Sequence, residues 1–258
     1  MRNCFPVTIL GGYAVRLGYN VVHYTLELGE DYVGKRYDSF FTKIPVTKIQ
    51  SFREKVEETI PQLPGQLIIK EFPTGRATMS TIESHLKKVA DMGVKADLII
   101  VDYVDLLSSR KKTRERKDEI DDIYTSAKGL ARQLNVPIWS VSQVNRAGAQ
   151  DKIIEGDKAA GSYDKMMISD FAMSLSRKKE DKVNGTGRFH IMKNRYGMDG
   201  LTFSVNADTS TGHFEVFDYN DSEENENLAP KTQSNKFDTD VDMFDKQLLR
   251  KKFFELEK

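Results

Sequence analysis

The chain has 258 residues, and its 39 Lys+Arg balance 39 Asp+Glu, so the formal net charge is zero and any nucleic-acid contact must be local rather than that of a bulk polycation. Hydrophobic residues at 39% suffice for a packed core, 30% charged residues argue a solvated surface, and no apolar run approaches the roughly 20 residues of a membrane span. The single cysteine, Cys4, excludes a disulfide framework or a thiolate metal cluster and suits a reducing cytosol.

Taken in chain order, the opening apolar run Phe5–Leu10 has one preceding Arg, two glycines behind it and no small-residue cleavage site, so it is not read as a secretion signal. Val21–Leu26 is a β-branched and aromatic strand, and Gln66–Glu71, Asp97–Val101 and Val136–Ser142 read the same way. Their near-continuous apolar character belongs to a parallel sheet buried on both faces. Between them, Thr78–Met92 ends at Gly93 and Asp118–Leu134 ends at Asn135, both with helical patterning. Strands separated by such helices predict βαβ crossovers and an α/β class. From Asp170 onward the texture changes. Phe171–Arg177, Arg188–Lys193, Leu201–Val205 and His213–Phe217 are closely spaced strands with turns at Asn184-Gly185, Asp199-Gly200 and Thr211-Gly212, an antiparallel extension of the sheet. The fold is expected to span 1–219, with an acidic and polar linker at 220–236 and an amphipathic helix at 237–258. That helix either packs back on the domain or docks on a partner.

Chemistry concentrates where strands stop. Leu98-Ile99-Ile100-Val101-Asp102 puts a carboxylate at the carboxyl end of a buried strand, the position where open α/β sheets bind ligands and where an Asp holds magnesium in nucleotide hydrolases. Glu27 ends a strand in the same way and can polarise an attacking water, while Gln143 follows the strand Trp139–Ser142 and can report a γ-phosphate. Lys193 and Arg195 follow another strand and can stabilise phosphoryl transfer in a neighbouring subunit.

Gly29–Arg36 satisfies G-x-x-x-x-G-K but places Arg where a P-loop needs Ser or Thr, and Glu30 and Asp31 would repel phosphates; it reads as the start of a helix. No other such motif exists in the chain. Two basic stretches suit a phosphate backbone: Arg110–Lys117, with Arg110, Lys111, Lys112 and Arg114, and Lys158–Ser162, whose Gly161 and Ser162 admit close approach, with Lys165 nearby. The four histidines show no ligand spacing, which argues against zinc.

These residues resemble the ATPase domain of DnaB-type replicative helicases, the RecA-like hexameric superfamily 4, from about Ala14 to Phe217. The strand ending Thr25-Leu26-Glu27-Leu28 is similar to the family's "SLEM", which implies Glu27 as the catalytic glutamate. Arg36 falls on an arginine of the next helix. Asp102 in "LIIVDYVDLL" matches the Walker B aspartate, and Glu119–Arg146 is similar throughout to the family's helix, strand and "SQLNR" motif, implying Gln143 as phosphate sensor with Arg146 beside it. "MKNRYGMDG" resembles "KQRNGPTG", whose cations reach the adjacent subunit, and the two basic stretches fall where the family lines its channel with DNA-binding loops.

The resemblance implies a RecA-like, mostly parallel twisted sheet. It also implies ATP and Mg2+ as cofactors, single-stranded DNA as substrate, a homo-hexamer, a primase or helicase loader as partner, no membrane and 5′-to-3′ travel. A cytoplasmic location follows, in a bacterial cell or in its host if the gene is phage-borne. The sequence departs from the family in Met1–Val15, which keeps an apolar remnant but no Gly-Lys-Ser/Thr, so the chain is expected to be truncated, split or catalytically lost, and to hydrolyse ATP poorly alone. A non-catalytic RecA-like binding subunit is the alternative, with a RecA/RadA-type recombinase behind it.

Overall fold

The computed structural model describes residues 4–109, 116–142 and 163–218. The expected linker and carboxyl-terminal helix, 220–258, lie outside the described residues.

Four strands, β1 (Val21–Thr25), β2 (Leu67–Glu71), β3 (Leu98–Asp102) and β4 (Ile138–Ser140), form a parallel sheet in the order β2-β1-β3-β4. Thr25 pairs in register with both Glu71 and Asp102, so three neighbouring strands finish level with one another. Helices α1 (Cys4–Arg16) and α2 (Glu30–Thr42) cover one face; α4 (Met79–Asp91) and α5 (Arg116–Leu134) cover the other. A short, exposed α3 (Arg53–Thr59) lies between α2 and β2.

Period-two alternation divides each central strand between the two cores. Val22, Tyr24, Ile99 and Val101 pack with Ile82, Leu86, Ile123 and Leu130 of α4 and α5. Val21, Leu98 and Ile100 pack with Val7, Val33, Tyr37 and Phe40 of α1 and α2. Because both sets are buried, β3 reads as an apolar run up to Asp102 and β1 as one interrupted only by the buried polar residues His23 and Thr25. The α1–α2 contact is close: a Cβ on Gly11 would strike Tyr37 and Ile100, and one on Gly12 would strike the Phe40 ring.

Thr78 caps α4 through a reciprocal capping box with Thr81, and α5 closes at Asn135, whose φ of 53° lies in the left-handed region. Strand β4 is shorter than Val136–Ser142. The Val136 amide bonds back to Ala131 and finishes the helix, and Pro137 has no amide to offer a ladder.

The second half forms its own antiparallel sheet in the order β5-β6-β7-β8: β5 (Phe171–Ser176), β6 (Thr186–Asn194), β7 (Thr202–Asp208) and β8 (His213–Asp218). Among the described residues, no ladder joins β4 to β5. A short α6 (Tyr163–Ile168) precedes it. Asn184-Gly185 is not a hairpin turn but the end of a helix, α7 (Lys179–Asn184), with Gly185 at φ 70° as its left-handed cap; the Gly signal is the same for both. On β6, Ile191 pairs with Met173 and Lys193 with Ala172, so Met192 is a surplus residue forming a bulge.

His23, on β1, is fully buried and bonds Tyr37 Oη through Nδ1 at 2.8 Å. Burial holds its pKa down to about 3, against 6.5 ordinarily, so the folded protein keeps it neutral where the unfolded chain charges it. Stability carried by this group is complete above pH 6.5 and falls as pH drops towards 3. Urea unfolding at pH 7.5 and pH 5 is expected to show about 2 kcal/mol of acid destabilisation assignable to His23, absent from the pH dependence of His23→Gln. Equal acid slopes in the two proteins would refute the assignment.

Candidate active site

The level strand ends of β1, β2 and β3 make one rim. Asp102, the last residue of β3, is 2% exposed, and its carbonyl accepts the Leu26 amide at 2.9 Å. Glu27 follows directly and is exposed. Its turn is held from two sides: Thr25 Oγ1 donates to the Leu28 carbonyl at 2.7 Å and accepts the Leu28 amide at 3.2 Å, and Thr74 Oγ1 donates to the Leu26 carbonyl at 2.5 Å. Tyr103, next after Asp102, reports the local charge. Burial raises its phenol first, and the carboxylates of Glu27, Asp105 and Asp102 raise it further. The backbone bond from Leu26 to Asp102 thus ties the turn that carries Glu27 to the end of β3.

A 3-10 turn, Val104–Leu106, continues from β3 and presents Asp105. Its Oδ2 accepts Lys165 Nζ at 2.7 Å and Ser142 Oγ at 3.1 Å. Ser140 Oγ stitches β4 to the same turn, accepting the Val104 amide at 3.0 Å and donating to the Val101 carbonyl at 2.9 Å. Lys165, expected near a phosphate, is buried on α6, and its ammonium is committed to Asp105 and Ser142.

Lys193 and Arg195 also converge. Lys193 Nζ donates to the carbonyls of Met166 and Met167 at 2.9 and 2.8 Å, acceptors that the end of α6 leaves open. Arg195 Nη1 lies 3.2 Å from Asp170 Oδ1, and its amide bonds the Asp170 carbonyl. Lys128 of α5 shares that carboxylate at 2.8 Å. The Lys128 hydrogen bond holds the Asp170 carboxyl below its ordinary value, helped by the charges of Lys128, Arg195 and Arg132 against burial. Burial, then the repulsion of Arg195 and Lys128, lowers the Lys193 ammonium.

Arg36 sits on α2 with its guanidinium 5.0 Å from the Tyr32 ring centre, lining a small cleft with Phe5, Thr8 and Thr209. The P-loop-like stretch is the start of α2, as its sequence suggested. The Glu30 amide donates to Glu71 Oε2 at 3.2 Å, so a carboxylate of the chain itself occupies the position where such a loop would place a phosphate. Gln143, Arg146, Arg110, Lys111, Lys112, Arg114, Lys158, Gly161 and Ser162 lie outside the described residues.

Sequence reading missed Thr25, Tyr103, Asp105, Ser142, Lys128 and Asp170. Asp105 alone carried a signal, a second carboxylate three residues after Asp102 in an otherwise apolar stretch.

No group of three or more His, Cys, Asp or Glu side chains is placed to hold a metal among the described residues. Magnesium asks less of a protein: one or two carboxylates, with phosphates and water completing its shell. A buried strand-end Asp102 beside Glu27 fits that demand. A phosphate cradle of the P-loop kind has no counterpart in the sequence.

Residues 3–215 match the family described as the DnaB-like helicase C terminal domain. A replicative DNA helicase DnaB from Mycobacterium intracellulare is 28% identical over 191 residues, covering 68% of this chain and 32% of that protein. The DnaB-like replicative helicase of Enterobacteria phage T4 is 23% identical over 195 residues, covering 71% and 41%. The chain therefore spans about a third to two-fifths of the length of these relatives. Among solved structures, an ATPase domain superposes with a TM-score of 0.70 at 21% identity, covering 84% of this chain and 80% of that one. A DnaB-like replicative helicase, described with its interactions with primase, gives 0.66 at 21% identity, covering 83% and 57%. These likenesses establish the RecA-like fold of such ATPase domains. No helix among the described residues is long and apolar enough to cross a membrane.

Replacing Thr25 by Val keeps the strand shape but leaves the Leu28 amide and carbonyl without their hydroxyl partner. The expected cost is about 1–3 kcal/mol, read as a lower urea midpoint at unchanged m-value. An unshifted midpoint would remove Thr25 as an anchor of the Glu27 turn.

Proposed function

The chain belongs to the DnaB-like helicase C-terminal domain family, and from that premise we propose that it is the motor portion of a replicative DNA helicase, hydrolysing ATP at subunit interfaces of a homo-hexameric ring to travel 5′ to 3′ on single-stranded DNA. The observation that carries this reading is the level ending of β1 and β3, whose Leu26–Asp102 backbone bond sets exposed Glu27 on the rim where buried Asp102 stands.

In this reading Asp102 holds Mg2+, which when bound neutralises charge on the phosphates. Glu27, on the water side of the rim, accepts the proton of the attacking water. Gln143 hydrogen-bonds the γ-phosphate, with Arg146 and Arg36 behind it. Lys193 and Arg195 exchange the α6 carbonyls and Asp170 for the phosphates of the neighbouring subunit's nucleotide. The stretches Arg110–Lys117 and Lys158–Ser162 meet the DNA backbone, which accounts for DNA affinity in a chain of zero net charge. A primase or loader partner and a cytoplasmic location, bacterial or in a phage's host, belong to the same reading.

A second reading, a non-catalytic subunit that binds DNA or a partner, is favoured by one observation: the sequence holds no usable G-x-x-x-x-G-K-[ST]. The recombinase alternative shares the fold but not this family and is set aside.

The test is ATP turnover and strand unwinding by the chain as it stands and joined in frame behind a family segment bearing G-x-x-x-x-G-K-[ST]. The chain alone should bind oligo-dT and turn over ATP near background. The joined form should turn over ATP, with Glu27→Gln lowering the rate by about 10²–10⁴ and Arg195→Ala by about 10³–10⁵. DNA binding without turnover in the joined form would favour the second reading. Turnover indifferent to Asp102→Ala would discard the site.

A further inference from the structure

The parallel sheet and the antiparallel sheet each stop at an edge that carries no ionisable side chain. Strand β4 and the residues around it, Val136–Ser142, hold none, and neither does β5. The opposite edges differ: β2 carries Lys70 and Glu71, and β8 carries His213, Glu215 and Asp218. Charge on a terminal strand is one of the ways proteins keep an edge from pairing. Its absence from β4 and β5 is the composition of strands with neighbours on both sides, yet among the described residues no ladder joins them. The Pro137 carbonyl accepts the Ile99 amide, so by the alternation of a strand the N–H and C=O groups of Ile138 and Ser140 point away from β3. The Trp139 and Phe171 rings meet across this seam, their centres 5.8 Å apart.

Handedness says what belongs there. From β1 through α2 to β2 the path steps one way along the sheet, with α2 on the side of Tyr37 and Phe40. From β2 through α4 to β3, and from β3 through α5 to β4, it steps the other way with its helices on the opposite side. These crossovers share one hand, as parallel connections do almost without exception. Helix α1 lies on the α2 side and leads into β1. A strand feeding α1 with the same hand must stand on the far side of β1 from β2, where β3 and β4 already fill the nearer places. The next place is the seam between β4 and β5. Helix α1 already reaches both sheets: Gly11 backs onto Ile100 of β3, and Tyr13 Oη donates to the Phe214 carbonyl of β8 at 3.3 Å. Met1–Asn3, ahead of α1, leave room for neither a strand nor a loop.

We infer that the seam between β4 and β5 is a slot for a strand of a second polypeptide, an apolar run of about five residues parallel to β4 that ends in G-x-x-x-x-G-K-[ST]. The strand must be apolar on both faces, because its neighbour β4 sits in a sheet covered by helices on both sides. Its carboxyl end falls on the rim that carries Glu27 and Asp102, next to the start of α1, so strand, phosphate loop and helix follow one another there. The loop rests on the helicase reading. The slot rests on edge composition and handedness and stands without it.

The probe is a synthetic peptide of about five Val and Ile residues followed by G-x-x-x-x-G-K-T, with terminal lysines for solubility, added to the full chain. The sole tryptophan, Trp139, reports on the seam by its emission, and amide hydrogen exchange shows which strands are covered. Binding should saturate, shift the emission and slow exchange at Ile138, Ser140 and β5 about tenfold, leaving β2 unchanged. The same peptide with Pro at the centre of its strand cannot complete a ladder and should do neither. No binding, equal protection by the Pro peptide, protection of β2 instead of β4, or a seam that exchanges as slowly as β3 in the chain alone would each overturn the inference. So would protection that rises with chain concentration without peptide, the mark of a second copy in the slot. Should the peptide aggregate, the same strand and loop joined in frame ahead of Met1 answer to the same exchange readout. In that joined form, protection of β4 and β5 without ATP turnover would leave the slot standing and count against the helicase reading. Turnover without that protection would do the reverse.

Discussion

A parallel sheet covered by helices on both sides has no face on which a charged side chain can reach water, so β1 and β3 deliver polar groups only where they stop. Val22 and Tyr24 face one core, Val21 and His23 the other, and all are buried. After β1 the first exposed position is Glu27, while β3 ends on Asp102, which stays buried. Because Thr25 pairs level with Asp102, those positions fall together instead of being staggered along the sheet. The site is thus a consequence of register, and register is a consequence of burial.

The same logic says which parts of the molecule were legible. Strands of the parallel sheet announced themselves because two-sided burial leaves little but Val, Ile, Leu and aromatics, and α4 and α5 because capping and stop residues bracket them. The opening Phe5–Leu10 shows in sequence only as an apolar run; it lies in helix α1, whose Gly11 and Gly12 admit Tyr37, Ile100 and the Phe40 ring. Helix α7 was passed over because Gly185 ends a helix with the same backbone conformation that a hairpin turn uses. In the site, Glu27 and Asp102 were visible as the polar ends of apolar runs. Asp105, Lys165, Asp170 and Lys128 were not visible as partners, since a pairing across 60 residues, as between Asp105 and Lys165, leaves no local pattern. A lysine in a basic neighbourhood reads as solvated until the fold shows its carboxylate.

Charge is handled locally throughout. The chain's zero balance conceals a carboxylate-rich rim around Tyr103 and a cationic group in which Lys128 and Arg195 share Asp170 while Lys193 is held by carbonyls of α6. Helix α6 links the two: its Lys165 faces Asp105, while the carbonyls of Met166 and Met167 hold Lys193. Six residues therefore connect the carboxylate side with the cationic side.

The surplus Met192 on β6 has an effect out of proportion to its size. In an even ladder, side chains swap sides with each step, and one extra position reverses that count for whatever follows. Were Met192 instead to take the place opposite Ala172, Lys193 would fall opposite Phe171 and emerge from the other surface of the hairpin, and Arg195 two residues on would be reversed with it. The parity of a single strand, more than the identity of either cation, decides which way this pair is aimed.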